Sequence, residues 1–188
     1  MLGEQINAED TSGVAIAQNT GQQETIQIKG RYDVECIGAD GQVKWTDTIE
    51  NLVVTVGKND LLDKYFAGST YTAAWYMGLV DNASFSAYAA GDTLASHSGW
   101  LEFLLYTGTN RTTVGWNAAS SGSKVSTTTA FSINGSGTVL GALLCTTQAR
   151  GTASNGGAGV LYSAGTFTGG ARTVASSDTL NVTYTASV

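Results

Sequence analysis

The chain has 188 residues, of which 42% are hydrophobic, 9% aromatic and only 13% charged, and its formal net charge is -6. This length predicts one domain with a sizeable core, plus any tail. The acidic balance, with no cluster of Lys and Arg, argues against nucleic-acid binding, because affinity for phosphates comes mostly from clustered basic side chains.

Charge is distributed unevenly along the chain. The last 88 positions contain only six charged residues, which are Glu102, Arg111, Lys124, Arg150, Arg172 and Asp178. Surfaces that face water usually keep their charge, which prevents association. The nearly neutral C-terminal half therefore predicts a surface that partly faces other protein.

The N-terminal sequence MLGEQINAED has neither a basic start nor an apolar stretch of signal-peptide length. The longest apolar runs, such as VLGALLC at 139–145, are too short to cross a bilayer. We expect a soluble protein that is made in the cytoplasm and does not bind a membrane.

The first element in chain order is a predicted arm. Residues 1–22 show no sustained hydrophobic period and mix Asn, Gln, Glu, Asp and Gly, which is typical of a segment outside a core. Residues 23–188 are predicted to form the folded domain.

An alternating pattern beginning at Glu24 predicts a half-buried first strand. It ends at GADGQ, where Asp40 and Gly41 are expected to supply the positive backbone angles of a tight hairpin turn, and VKWTDTI leads back. The residues predicted on the buried face are Ile26, Ile28, Gly30, Tyr32, Val34 and Cys36.

The segment GKNDLLDKYFAG, which follows a predicted strand NLVVTV, is the best helix candidate. Asn59 is expected to cap this helix and Gly68 to end it. Its predicted apolar stripe consists of Leu61, Leu62, Tyr65 and Phe66.

Seven apolar or alternating runs follow, separated by Gly, Asn and Ser: WYMGLV, WLEFLLY, RTTVGW, KVSTTTAFSI, TVLGALLCTT, GVLYSAGTF and TLNVTYTAS. The turn NGSG at 134–137 is predicted to join two of them as a hairpin. Short strands with turn signals between them predict an all-β fold, an antiparallel β-sandwich that is jelly-roll-like or Ig-like, with one short helix.

The two cysteines, Cys36 and Cys145, each lie inside an apolar strand pattern. In a reducing compartment such residues are usually small buried hydrophobes. A disulfide between them stays open, because it requires a geometry that sequence does not show.

The stretch from Ala73 to Phe103 contains the chain's single histidine, His97, between Ser96 and Ser98. A catalytic triad assembles through the fold rather than through adjacency, and the nucleophile turn G-x-S-x-G is absent. We therefore interpret His97 as a hydrogen-bonded structural histidine. One histidine and two separated cysteines do not make a typical zinc site, and no calcium-loop spacing occurs. We expect no catalytic residues, no metal and no cofactor.

Two alternatives remain open. A paired-carboxylate glycosidase requires only that an Asp and a Glu converge in the fold. The four tryptophans either pack in the core or form an exposed stacking row for sugars, and packing is the preferred interpretation. They are Trp45, Trp75, Trp100 and Trp116.

The order of these features resembles a family of small virion proteins of tailed bacteriophages. The resemblance lies in the W/Y-x-G-L core strand, the block Asp-Thr-x-Ala-Ser-His-x-Gly-Trp-x-Glu and the final alternating strand, and it covers about residues 31–188. Ser177-Asp178 stands where a Gly-Asp turn is common in the family. The resemblance implies a structural role and provides no catalytic residues to transfer.

The resemblance suggests that the central block is a conformational motif. We expect Asp92 to cap the short turn TLASH, and His97 and Glu102 to satisfy backbone groups beside Trp100.

The resemblance also implies a non-enzymatic role on the virion, most simply as a capsid cement or decoration protein on the outer surface of the head. The expected partners are the major capsid protein and further copies of this chain, in a homotrimer, with the arm at 1–22 reaching a neighbour. The alternative is a tail or fibre component, bound to tail proteins, whose Trp or Tyr side chains contact host glycans. A cytoplasmic enzyme is the third hypothesis.

Overall fold

The computed structural model describes residues 27–66, 68, 74–151 and 159–188. The predicted arm at 1–22 lies outside these ranges.

The described part of the chain contains twelve strands and one helix. In chain order they are β1 (Lys29–Ile37), β2 (Val43–Glu50), β3 (Leu52–Val53), α1 (Thr55–Phe66), β4 (Trp75–Asp81), β5 (Glu102–Phe103), β6 (Thr112–Val114), β7 (Ser123–Val125), β8 (Thr129–Ser132), β9 (Gly137–Cys145), β10 (Leu161–Thr166), β11 (Arg172–Val174) and β12 (Thr179–Ser187). The all-β prediction with one short helix is confirmed.

The strands form two antiparallel sheets. The first sheet has the order β2-β1-β12-β7, with β8 also pairing with β12. The second sheet has the order β3-β10-β9-β4-β5, with β11 pairing with β9 and β6 pairing with β4. The two sheets pack together as a sandwich, as predicted.

The predicted alternation in β1 positions one side of the core. Gly30, Tyr32, Val34 and Cys36 are buried. In β12, which runs antiparallel beside β1, Tyr184 lies opposite Tyr32 in the register. These side chains fill the space between the two sheets, where they join apolar residues of β4 and β9.

The second sheet is buried on both faces. Ala142 and Leu144 in β9 belong to the core between the sheets, whereas Leu143 and Cys145 belong to a second apolar cluster. The second cluster includes Trp100, which lies in the loop at 82–101. Burial on both faces is the reason that β9 is a continuous apolar run rather than an alternating one.

Two turn predictions need correction. In the first hairpin only Gly41 has a positive φ, of 77°, while the carboxylate of Asp40 accepts the backbone N–H of Gln42. The turn at 134–137 is not a hairpin, because it carries the chain from β8 in the first sheet to β9 in the second. Turn residues show where the chain reverses, but they do not determine which strands pair.

The helix prediction was correct in type and wrong in its start and buried face. The Val54 carbonyl accepts the Lys58 N–H at 3.1 Å, so the helix begins before Asn59, which lies inside it. The buried residue of the helix is Gly57, where a Cβ atom would lie 2.8 Å from the Tyr162 Cα. Gly68 has a φ of 65°, the left-handed conformation expected after a helix.

The predicted apolar stripe of α1 largely faces outward. Leu62 is 47% exposed, Tyr65 81% and Phe66 75%. The close approach of Gly57 to β10 brings the first half of the helix against the sheet. The second half leaves three large apolar side chains in contact with solvent.

A buried carboxylate fastens β2 to β11. Asp47 accepts hydrogen bonds from the Arg172 guanidinium at 2.8 Å and from the backbone N–H groups of Thr48 and Gly169. Burial by itself would raise the pKa of this carboxyl, but the hydrogen bonds from Arg172 and the backbone outweigh it and hold the pKa below its usual value.

We expect Asp47 to make folding stability depend on pH in the acid range. A carboxyl whose pKa is lower when folded contributes its stabilisation above the unfolded value of about 3.9 and loses it as the pH falls through the folded value. Asp47→Asn should therefore lower the free energy of unfolding at neutral pH and flatten its decline in acid. Urea unfolding at several pH values measures the free energy of unfolding. The control variant is Asp33→Asn, because the Asp33 side chain is half-exposed. An Asp47→Asn variant with the wild-type acid decline would contradict the prediction.

Candidate functional site

The central block is part of the cover over the outer face of the second sheet. Trp100 is 1% exposed, and its indole N–H donates to the Asp92 carboxylate at 2.9 Å. The same carboxylate accepts the backbone N–H of Ala89. The prediction that Asp92 caps the turn TLASH is therefore wrong, because its carboxylate accepts hydrogen bonds from Ala89 and Trp100 instead. Thr93 has that role, because its hydroxyl accepts the Ser96 N–H at 3.0 Å.

His97 is stacked on Trp100. The ring centroids are 3.8 Å apart with an interplanar angle of 18°, and His97 is 2% exposed. The ring Nδ1 lies 3.1 Å from the Trp100 carbonyl oxygen, where an Nδ1–H donates to it. His97 thus holds both the backbone and the ring of Trp100.

We expect His97→Ala to lower the free energy of unfolding by about 1–3 kcal/mol, because it leaves the buried Trp100 carbonyl without its donor and removes a stacked ring. Thermal unfolding by circular dichroism measures the loss. Ser98→Ala, in the exposed neighbour, is the matched control and should change stability by less than about 0.5 kcal/mol. An unchanged melting temperature for His97→Ala would contradict the structural interpretation.

Glu102 belongs to a buried ion pair that sequence reasoning missed. Its two carboxylate oxygens accept hydrogen bonds from Arg111, Nε to Oε1 at 2.8 Å and a terminal nitrogen to Oε2 at 2.9 Å. Both side chains are 2% exposed. Oε2 also accepts the backbone N–H of Gly151 at 2.8 Å, so Glu102 does satisfy a backbone group, but one far along the chain from Trp100, beside which the prediction had placed it.

The ion pair also favours the charged form of Arg111 in its buried site. Burial by itself would lower the pKa of the guanidinium, but the hydrogen bonds that Arg111 donates to Glu102 outweigh this effect and raise the pKa. The available sequence signal was a lone carboxylate in the apolar run WLEFLLY, which requires a buried cation nearby.

Both cysteines are free and buried. The Cys36 thiol lies 3.8 Å from the Asp178 carboxylate, and the Cys145 thiol donates to the Thr147 carbonyl at 3.3 Å. Burial raises the pKa of each thiol to about 11. At neutral pH they are protonated, which makes them poor nucleophiles.

Within the described ranges, no group of three or more His, Cys, Asp and Glu side chains is placed to hold a metal ion. In the same part of the chain, no helix has both the length and the apolar character needed to span a membrane.

A mainly apolar groove of about 560 Å³ lies beside α1, and we call it the α1 groove. Tyr162 and Tyr184 line it from the two sheets, and Leu61 and Tyr65 line it from the helix. The groove opens at the end of the sandwich where β1 begins and β12 ends, since Ala186 in β12 lines it and pairs with Gly30.

Two tryptophans give the groove an aromatic wall. Trp75 and Trp116 meet edge to face with centroids 6.5 Å apart, and Trp75 contacts Tyr162 in the same way at 5.4 Å. Both tryptophans are half-buried. The Trp116 Nε1 is buried without a hydrogen-bond partner among the described residues. Core packing therefore accounts for only part of the surface of these two rings, because they also line the α1 groove.

The rim of the groove is polar. Lys64 pairs with Asp60 on α1, while Lys124 donates to the Asn117 carbonyl at 2.9 Å and lies 6.0 Å from the centroid of the Trp116 ring. A ligand in the groove would meet an apolar floor and a lysine at the edge. No protein-family model matches this chain, and no curated protein matches it.

Proposed function

We propose that this chain is a bacteriophage virion structural protein, a capsid cement or decoration protein that binds the outside of the assembled head. The observation that carries the proposal is the exposed apolar surface of α1 beside the groove, formed by Leu62, Tyr65 and Phe66. Contiguous exposed apolar surface of this kind on a small domain marks an interaction site.

The C-terminal half supports association with protein. Its six charged residues are nearly all engaged within the molecule: Glu102 with Arg111, Arg172 with Asp47, Asp178 with Lys44, and Arg150 over the Tyr106 ring at 4.0 Å. Strands rich in Ser and Thr can then pack against a partner without removing charges from water, which is costly.

The buried polar contacts of the folded domain favour a structural role. The Glu102–Arg111 pair fastens β5 to the start of β6, and the cover formed by Asp92, His97 and Trp100 closes the second sheet. A cement protein must stay folded while the shell resists internal pressure. Many copies that each bury an interface of about 1,200–2,000 Å² would add their stabilisation across the shell.

The resemblance of residues 31–188 to small virion proteins supplies the class of partner. We assign the major capsid protein as the main partner, a homotrimer as the assembly and the outer surface of the head as the location. The segment at 1–22 reaches a neighbouring subunit in this arrangement.

Location and copy number on purified particles test the proposal. Quantitative mass spectrometry should find the chain at a copy number comparable with that of the major capsid protein, and immunogold labelling should mark the head. Particles that lack the chain would overturn the proposal.

The aromatic wall of Trp75 and Trp116 favours one second candidate, a tail or fibre component that stacks host glycans on these rings. That candidate predicts a handful of copies per particle and labelling confined to the tail.

A further inference from the structure

We propose that the α1 groove is the docking site of the acidic N-terminal segment at 1–26. The proposal rests on the proposed function in one respect only: a neighbouring copy of the chain in the assembly is one of the two molecules that can supply the segment. It is carried by the distribution of charge between the segment and the folded body, and by the position at which the chain enters β1.

The segment has the charge opposite to that of Lys64 and Lys124, which line the groove together with Asp60. Residues 1–26 contain four carboxylates, Glu4, Glu9, Asp10 and Glu24, and no Lys or Arg, so they carry -4 of the chain's net charge of -6. Apolar side chains such as Leu2, Ile6 and Ile16 are interspersed with these carboxylates. Such a segment can bury apolar groups while its carboxylates remain at a basic rim.

The body carries a complementary set of lysines. In the described part of the chain, Lys44 and Lys64 form salt bridges with Asp178 and Asp60, whereas three lysines form none. These three are Lys29, Lys58 and Lys124.

All three lie at the end of the sandwich where the groove opens. Lys124 lines the groove and pairs with Ala186, which in turn pairs with Gly30, the residue after Lys29. Lys58 and Lys29 line a smaller depression of about 300 Å³ together with Gln27. The lysines without a carboxylate partner are therefore concentrated where an acidic segment would lie.

The chain enters the fold beside this site. Gln27 lies next to Lys58, which is one helical turn before Leu61 in the groove wall. An extended segment of this length spans up to about 90 Å, so it reaches the groove of its own body or that of a neighbour. The occupant is the same segment in both cases.

Zero-length crosslinking of the full chain tests the proposal. A carbodiimide condenses a carboxylate and an amine that are in contact into an amide and itself takes up the water. Peptide mapping should find Glu4, Glu9 or Asp10 joined to Lys124 or Lys64. Coupling of Lys44 to Asp178, which form a salt bridge, is the positive control for the reaction. Lys44 lies in β2 beside the end of β1 that is far from the groove, so the segment should not couple to it.

A variant tests whether the groove itself holds the segment. Tyr65 is 81% exposed, so Tyr65→Asn leaves the core intact. It should reduce crosslinking to Lys124 about fivefold, which corresponds to roughly 1 kcal/mol of lost aromatic contact. Val43→Asn, the matched change of an exposed apolar side chain outside the groove, should leave that yield unchanged.

Two results would overturn the proposal. One is coupling of Lys44 to Asp178 without any coupling of Glu4, Glu9 or Asp10 to the groove lysines, as expected if a glycan or another protein is the occupant. The other is an unchanged crosslink yield in Tyr65→Asn.

Isotope labels separate this inference from the proposed function. In oligomers assembled from a mixture of ¹⁴N and ¹⁵N chains, hybrid crosslinks assign the segment to a neighbouring copy, whereas single-isotope crosslinks without any hybrids assign it to its own body. Both place it in the groove. Absence of the chain from particles would overturn the proposed function and leave the crosslinks in place, whereas missing crosslinks would leave the copy number on particles unaffected.

Discussion

Glu102→Gln should lower the free energy of unfolding by about 3–5 kcal/mol, the largest effect that we expect from a nearly isosteric change. The substitution leaves the Arg111 guanidinium buried, with only 2% of its side chain exposed, and removes the anion that compensates it. Bringing an unpaired cation out of water is far more costly than the loss of one hydrogen bond. Urea unfolding followed by tryptophan fluorescence measures the change.

Three further variants isolate the charge effect: Arg31→Gln, Arg111→Met, and Arg111→Met combined with Glu102→Gln. Arg31→Gln breaks the Arg31–Asp33 pair, whose side chains are both 50% exposed, and should cost only about 0–1 kcal/mol. Adding Arg111→Met to Glu102→Gln removes both buried charges, so the double variant should be more stable than the sum of the single changes by at least about 2 kcal/mol. Additive losses would show that the pair is not coupled as the geometry requires.

Gly141→Ala should cost more than about 3 kcal/mol, above the usual range for overpacking, because the added methyl group meets backbone rather than a side chain. Gly141 lies in β9, opposite Val80 on one side and Thr166 on the other. A Cβ atom there would overlap the Gly165 carbonyl oxygen and lie 2.9 Å from its carbonyl carbon. The strands could accept it only by separating.

Gly91→Ala is the matched control for this prediction. A Cβ atom at Gly91 would meet nothing within 4 Å, and its φ lies outside the left-handed region. The control should therefore be neutral or stabilising, by up to about 1 kcal/mol, through the unfolded state. Thermal unfolding of both variants decides the matter, and a Gly141→Ala variant that melts within a degree or two of Gly91→Ala would contradict the packing argument.

The side-chain period of β1 was readable because one face of that strand is buried and the other is not. Tyr32, Val34 and Cys36 alternate with Arg31 and Asp33 in sequence and in burial. Hydrophobic periodicity did not predict the buried face of α1. Gly57 brings this helix against the backbone of β10, and a glycine contributes nothing to a hydrophobic pattern. Tyr65 and Phe66, which belong to the predicted apolar stripe, are consequently exposed.

The central block shows the same division. Asp92, His97 and Trp100 lie within nine residues of one another in the sequence, and the structure brings their side chains into contact. Their hydrogen-bond partners were not predicted, because the carboxylate of Asp92 accepts the indole N–H of Trp100 across a loop, and Glu102 pairs with Arg111. These partners are only eight and nine residues apart, but their contact depends on how the loops between them pack, which local periodicity does not determine.

The amino-acid sequence by itself determined the all-β class, the single helix and the low charge of the C-terminal half, since these follow from local period, turn residues and composition. Only the tertiary structure decided which strands pair across 134–137, which carboxylate meets Arg111, and where apolar surface stays exposed beside α1. Local patterns determine which face of an element prefers burial. Contacts between segments far apart in the chain determine which partner covers that face, and in the α1 groove the body itself leaves it uncovered.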